Sequence, residues 1–153
     1  MKPLSPADQM FLWLEKRQQP MHVGGLQLFS FPEDAPDDYV AQLADQLRDH
    51  TTVTSPFDRR LDSRFTQPVW VRDEHLDLEH HFRFEALPTP GRVRELLSFV
   101  SAEHSHLMDR ERPLWEFHLI EGLRDRQFAV YTKIHHSLVD GVSAMRMAQR
   151  MLS

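Results

Sequence analysis

A run of alternating side chains from Gln127 to Ile134 ends in two adjacent histidines, His135 and His136, with an Asp-Gly pair following at Asp140-Gly141. Alternation of period two predicts a β-strand, and Asp-Gly is turn chemistry. A strand that ends in a histidine holds an imidazole on a rigid support at the edge of a sheet. A second strand-like run, Trp115–Glu121, precedes it across a loop around Gly122 to Arg126, so the two predict a strand pair. Histidine is the side chain best suited to proton transfer near neutral pH. The turn allows Asp140 to fold back beneath the ring, which makes the whole HHxxxDG spacing a candidate site.

Ten histidines in 153 residues make one adjacent pair weak evidence by itself. A second pair, His80-His81, has no Asp-Gly after it. That pair, with the isolated His104 and His106, is expected on exposed surfaces. A metal site built from His135, His136 and Asp140 is disfavoured, because neighbouring residues on a strand point to opposite faces and cannot easily share one ion.

The rest of the chain reads as mixed α/β. Ser5 reads as an N-cap, with Pro6 at the first helical position and Asp8 in the first turn. The helix is expected to run to about Arg17 with Met10, Phe11, Trp13 and Leu14 on a core-facing side. His22 to Phe31 predicts a strand, and the Gly24-Gly25 pair would permit unusual backbone angles. Val40, Leu43, Ala44 and Leu47 recur at helical spacing. His50 to Arg64 is polar and irregular and predicts a surface loop. Pro68–Val71 and Leu76–Phe84 predict short strands. A further helix is expected to carry Val93, Leu96, Leu97, Val100 and Leu107 on one face. A final one, after the Asp-Gly turn, carries Val142, Met145, Met147 and Met151.

HHxxxDG resembles the signature of the CoA-dependent acyltransferase superfamily, which includes chloramphenicol acetyltransferase and peptide-synthetase condensation domains. Three further segments are similar to bacterial wax ester synthase/diacylglycerol acyltransferases. They are the opening Pro3-Leu4-Ser5-Pro6-Ala7-Asp8-Gln9-Met10-Phe11-Leu12-Trp13-Leu14-Glu15, the stretch Met21-His22-Val23-Gly24-Gly25-Leu26, and Arg112-Pro113-Leu114-Trp115-Glu116-Phe117-His118-Leu119-Ile120-Glu121-Gly122-Leu123, with its Pro-Leu-Trp. Each is weakly specific; in this order along the whole chain they are a strong set. The resemblance implies a two-layer mixed sheet with helices, like the N-terminal half of chloramphenicol acetyltransferase. It covers only about the first third of such an enzyme. With no helix stop after Arg150, residues 1–153 are expected to be an N-terminal half-domain whose C-terminal half is absent.

The same resemblance implies an O-acyltransferase that moves a fatty acyl group from acyl-CoA to a long-chain alcohol or diacylglycerol. His136 would be the general base and His135 a supporting residue packed beneath the site. Asp140 would either orient the histidine or brace the loop through a buried arginine pair, and the resemblance favours the brace. Gly141 would give the turn its freedom, and Trp115 would line an acyl channel or sit in the core. No cofactor is expected beyond acyl-CoA as substrate, and no metal. Ser137 adjoins the pair, but a nucleophilic Ser–His arrangement needs spatial evidence. The alternatives are a condensation-type acyltransferase of another branch and a non-catalytic lipid-binding half-domain.

Composition narrows the field further. A net charge of −5, with both signs mixed along the chain, indicates no nucleic-acid surface. The absence of cysteine removes disulfides, thiolate metal sites and a cysteine nucleophile, and suits a reducing cytoplasm. No apolar run approaches the roughly 20 residues that span a bilayer. A cytoplasmic protein is expected, with peripheral association at membranes or lipid inclusions as an option.

Overall fold

The computed structural model describes residues 2–50, 52–53, 57–64 and 67–138. Strand β1 (Lys2–Pro3) leads into helix α1 (Pro6–Leu14), strand β2 (His22–Ser30) and helix α2 (Tyr39–His50). Strands β3 (Arg59–Asp62) and β4 (Val69–Arg72) follow, then the short helix α3 (Leu78–His81) and strand β5 (Phe82–Ala86). Helix α4 (Val93–His104) precedes the long strands β6 (Trp115–Leu123) and β7 (Gln127–His135). A small antiparallel sheet has the order β1-β4-β3, and the main sheet has the order β2-β7-β6-β5. Only β5 and β6 run parallel in the main sheet, so the fold is mixed α/β as the pattern predicts.

Alternation along β6 and β7 fills both faces of this sheet. Phe117, Leu119, Phe128, Val130 and Ile134 join a core that includes Leu12 of α1 and Val40 and Ala44 of α2. On the opposite face Ile120, Ala129 and Tyr131 pack with Leu96, Phe99 and Val100 of α4. Strands buried on two faces explain why the Trp115–Ile120 and Phe128–His135 runs are sealed at every position.

Several sequence expectations fail for identifiable reasons. Ser5 caps α1 as expected, its Oγ accepting the Asp8 N–H at 3.1 Å. The helix nevertheless ends at Leu14, because Lys16 and Gln19 exchange two backbone hydrogen bonds and turn the chain towards β2. Its core residue is Leu12, whereas Met10, Trp13 and Leu14 are exposed, Trp13 to 89%. On α4 the inward residue is Leu96, while Val93 and Leu97 face outward and Leu107 beyond the helix is also exposed. The polar 50–64 stretch contains β3, whose pairing with β4 outweighs its composition; a charged strand suits a sheet edge. Residues 78–81 are helical rather than extended, because Asp77 accepts the Glu79 N–H at 3.1 Å and starts a turn.

Gly24 lies in extended β2, and its role is close approach: a Cβ there would meet His104 Nδ1 and Tyr131 Oη, each at 2.9 Å. The chain reverses between β6 and β7 through Asp125 and Arg126, both in the left-handed region with φ of 64° and 53°. The expected final helix lies outside the described residues.

His80 and His81 depart from their expected exposure. His81 is buried, stacked on Trp115 at 4.6 Å, and its Nδ1–H donates to the Trp115 carbonyl at 2.8 Å. His80 is half-buried, as is His104, which hydrogen-bonds Tyr131 Oη at 2.6 Å; His106 alone is exposed as expected.

One charge cluster lies inside the fold. His118 of β6 is fully buried, with Nδ1 3.1 Å from Glu85 Oε1 and Nε2 2.9 Å from Glu116 Oε1. Burial alone would lower its pKa, but the two carboxylates outweigh burial and raise it. A raised histidine pKa contributes stability that is complete below the ordinary value of 6.5 and is lost as pH rises through the folded value. His118→Leu should therefore destabilise the fold by about 3–5 kcal/mol, the cost of leaving buried carboxylates without their partner. Denaturant melts of both proteins across pH should show the gap widest below 6.5 and shrinking on the alkaline side. A gap independent of pH would contradict the imidazolium assignment.

Candidate active site

The histidine pair sits where β7 leaves the main sheet. His135 is the last residue of β7 and pairs in register with His22 of β2. The His135 N–H donates to the Leu114 carbonyl at 3.0 Å, and the His136 N–H donates to the Met21 carbonyl at 2.8 Å. Consecutive N–H groups thus bond in opposite directions, one towards the β6 side and one towards β2. The two side chains consequently diverge.

His135 goes inward and is 1% exposed. Its Nδ1 accepts the Ser137 N–H at 3.0 Å and lies 2.7 Å from Ser137 Oγ. Its Nε2 is 3.0 Å from Glu15 Oε2, inside ion-pair range but off the line of a well-formed hydrogen bond. His136 is half-buried, and Phe11 of α1 stacks on its ring with centroids 5.0 Å apart and planes 24° apart. Stacking covers one face of an imidazole and leaves its nitrogens at the ring edge. Asp140 and Gly141 lie outside the described residues.

Glu15 was not among the residues singled out by sequence. It caps the C-terminus of α1 with a side chain only 2% exposed. Its Oε2 accepts the Met21 N–H at 2.9 Å, and its Oε1 is 3.2 Å from Arg110 Nη2, which also donates to the Leu12 carbonyl at 2.7 Å. Burial would raise the Glu15 pKa, but His135, the Met21 N–H and Arg110 outweigh it and hold the carboxyl down to about 2. The sequence offered one late signal: a lone acid that ends the apolar Met10–Leu14 run.

Trp115 is a buried strand residue whose indole N–H donates to the Phe57 carbonyl at 2.7 Å, with His81 stacked on its face. Nearby, His22 is buried and its pKa is lowered to about 4, chiefly by burial, so it is neutral at pH 7. Its Nε2–H donates to the His104 carbonyl at 2.7 Å, and the Lys133 ammonium donates to the carbonyls of Glu103 and His106. These sheet residues satisfy the carbonyls at the C-terminus of α4.

Glu103, Glu116 and His118 bring ligand-type atoms within 4.8 Å of one another. Both His118 nitrogens already face carboxylates, Nδ1 that of Glu85 and Nε2 that of Glu116, so the cluster is also an internal hydrogen-bonded charge network. Among the described residues no helix is long and apolar enough to cross a membrane.

Comparison with known proteins identifies this arrangement. The profile of the wax ester synthase/diacylglycerol acyltransferase catalytic domain matches residues 4–153. The chain is 51% identical over 154 residues to an O-acyltransferase of Acinetobacter baylyi, covering 100% of this chain and 33% of that protein. A probable diacylglycerol O-acyltransferase of Mycobacterium tuberculosis is 46% identical over 153 residues, covering 98% and 34% respectively. The chain therefore spans about a third of the length of the curated relatives it matches. A solved wax ester synthase/diacylglycerol acyltransferase from Marinobacter aquaeolei VT8 has 85% identity and a TM-score of 0.94, covering 98% of this chain and 36% of that one. A starter condensation domain of rhizomide synthetase, solved in complex with C8-CoA, shares the fold at a TM-score of 0.68 and 16% identity, covering 98% and 34%. The chain belongs to the wax ester synthase/diacylglycerol acyltransferase catalytic-domain family.

Proposed function

We propose that this chain, joined to a downstream region such as its relatives carry, transfers a fatty acyl group from acyl-CoA to the hydroxyl of a long-chain alcohol or a diacylglycerol. The observation that carries this reading is the divided histidine pair. One imidazole is sealed at the end of β7, and the next is half-exposed, held by its backbone at Met21 and by Phe11 across its ring.

A neutral alcohol is a poor nucleophile. His136 takes the hydroxyl proton as the oxygen bonds to the thioester carbon, which contributes roughly 10²–10⁴-fold. The carbon–sulfur bond then breaks, and the imidazolium proton passes to the departing CoA thiolate. The products are the ester and free CoA, His136 is neutral again, and no metal or further cofactor takes part. The roles the family resemblance implies for Asp140 and Gly141 are a brace through an arginine and freedom of the turn. Both acceptors partition into membranes and lipid inclusions, and the working enzyme collects them there as a peripheral cytoplasmic protein.

The downstream half completes the substrate channel. Met10, Trp13 and Leu14 on α1, Leu26 and Leu28 on β2, the edge strand of the main sheet among the described residues, and Val93 and Leu97 on α4 are apolar and exposed, as surfaces awaiting a partner are.

His136→Ala in the chain joined to its downstream half should lose at least roughly 10²-fold in ester formation with an unchanged circular dichroism spectrum. Near-normal turnover in a folded variant would sink the assignment. Residues 1–153 alone should form no ester from labelled acyl-CoA and hexadecanol. Without the second wall the reactants are not held together, and that alignment is worth roughly 7–11 kcal/mol of barrier. Full turnover by the isolated chain would show the second half to be dispensable.

A further inference from the structure

We propose that Glu15 is a positioning residue for the histidine pair: its buried carboxylate fixes His135 as the neutral Nε2–H tautomer and, through α1 and Met21, sets where the His136 imidazole stands. This rests on the reading of His136 as the base of acyl transfer.

The Ser137 side of the His135 ring specifies the tautomer, and the Glu15 carboxylate faces the other nitrogen at ion-pair distance. The Ser137 backbone N–H points at Nδ1 from 3.0 Å, and a backbone amide can only donate, so Nδ1 carries a lone pair. The ring proton must then sit on Nε2, which is the atom 3.0 Å from the Glu15 carboxylate. The carboxylate remains an anion at working pH, because His135, the Met21 N–H and Arg110 offset its burial. An imidazolium at His135 would press an Nδ1 proton against the Ser137 N–H.

Two paths lead from Glu15 to His136. Glu15 accepts the Met21 N–H at 2.9 Å, and the carbonyl of the same residue accepts the His136 N–H at 2.8 Å. Glu15 also ends the helix on which Phe11, one turn earlier, stacks on the His136 ring. Arg110 fastens that helix end by joining Glu15 Oε1 to the Leu12 carbonyl. Loss of the carboxylate frees the backbone and the stacking ring together. Misplacement of a reacting group by about 1 Å can cost about 100-fold.

Ser137 Oγ, His135 and Glu15 also have the order of a nucleophilic triad, since Oγ lies 2.7 Å from Nδ1. Ser137 is wholly buried, and its own backbone N–H shares the Nδ1 lone pair. The triad is a lock on the ring, and no acyl group passes through Ser137.

The test uses the chain joined to its downstream half. Glu15→Leu removes the acceptor, and Glu15→Gln keeps an oxygen that can serve both Met21 and His135. Glu15→Leu should lower kcat by roughly 10–100-fold with little change in KM for acyl-CoA, and Glu15→Gln should recover most of the loss. Imidazole ¹⁵N spectra should show His135 of the unmodified protein protonated at Nε2 alone, and the Nε2–H resonance should shift in Glu15→Leu as the facing carboxylate is removed. Full kcat in Glu15→Leu beside an inactive His136→Ala would overturn the positioning role and leave the base in place. An active His136→Ala would instead overturn the base. If Glu15→Leu does not fold, the unmodified protein still decides: His135 found as an imidazolium or an Nδ1–H tautomer contradicts the lock. So does an acyl group on Ser137 in quenched enzyme.

Discussion

At the end of β7, two successive backbone N–H groups are claimed from opposite sides, His135 by Leu114 and His136 by Met21. This pairing is possible because β7 is an interior strand, flanked by β2 through His135 and by β6 as far as Ile134. Ladder geometry then obliges neighbouring side chains to part. One histidine enters the polar seam between the sheet and α1, and the other emerges beside Phe11. A His-His dipeptide on a loop would have no such division, and neither ring would have a fixed direction.

The four segments that carry the family resemblance meet at this point. The opening segment supplies Phe11 and Glu15, the Met21 segment supplies the acceptor for His136, and Pro113-Leu114-Trp115 supplies the acceptor for His135. These contacts span more than a hundred residues of sequence, from α1 to β7, and backbone groups make several of them. Side-chain identity at Met21 and Leu114 therefore matters less to the histidines than the placement of their carbonyls. That placement depends on packing: Leu114 is fully buried, and the Trp115 indole is anchored to Phe57 and His81.

The sequence was legible wherever a pattern was local. Alternation marked β2, β6 and β7, helical spacing marked α2 and α4, and Ser5-Pro6 marked the start of α1. It misled where burial depends on partners far along the chain. Met10, Trp13 and Leu14 read as core, but α1 presents Leu12 to this sheet and leaves them exposed. The charged Arg59–Asp62 stretch read as loop and is an edge strand, because its pairing with β4, rather than its own composition, decides its conformation. His81 read as surface and is buried, its Nδ1 satisfied by a carbonyl 34 residues later. The histidine pair was visible because strand and motif are contiguous. Glu15 and Arg110 were not, since 95 residues separate them and nothing in either neighbourhood announces the other.

Unequal access of the two histidines is the central claim, and chemical modification measures it directly. Diethyl pyrocarbonate should modify His136 well before His135 in the chain joined to its downstream half, and in peptide mass maps ester synthesis should fall in step with modification of His136 rather than of the exposed His75 and His106. His135 should stay unmodified until the protein is unfolded. Modification of His135 at a comparable rate, or activity that survives complete modification of His136, would contradict the account.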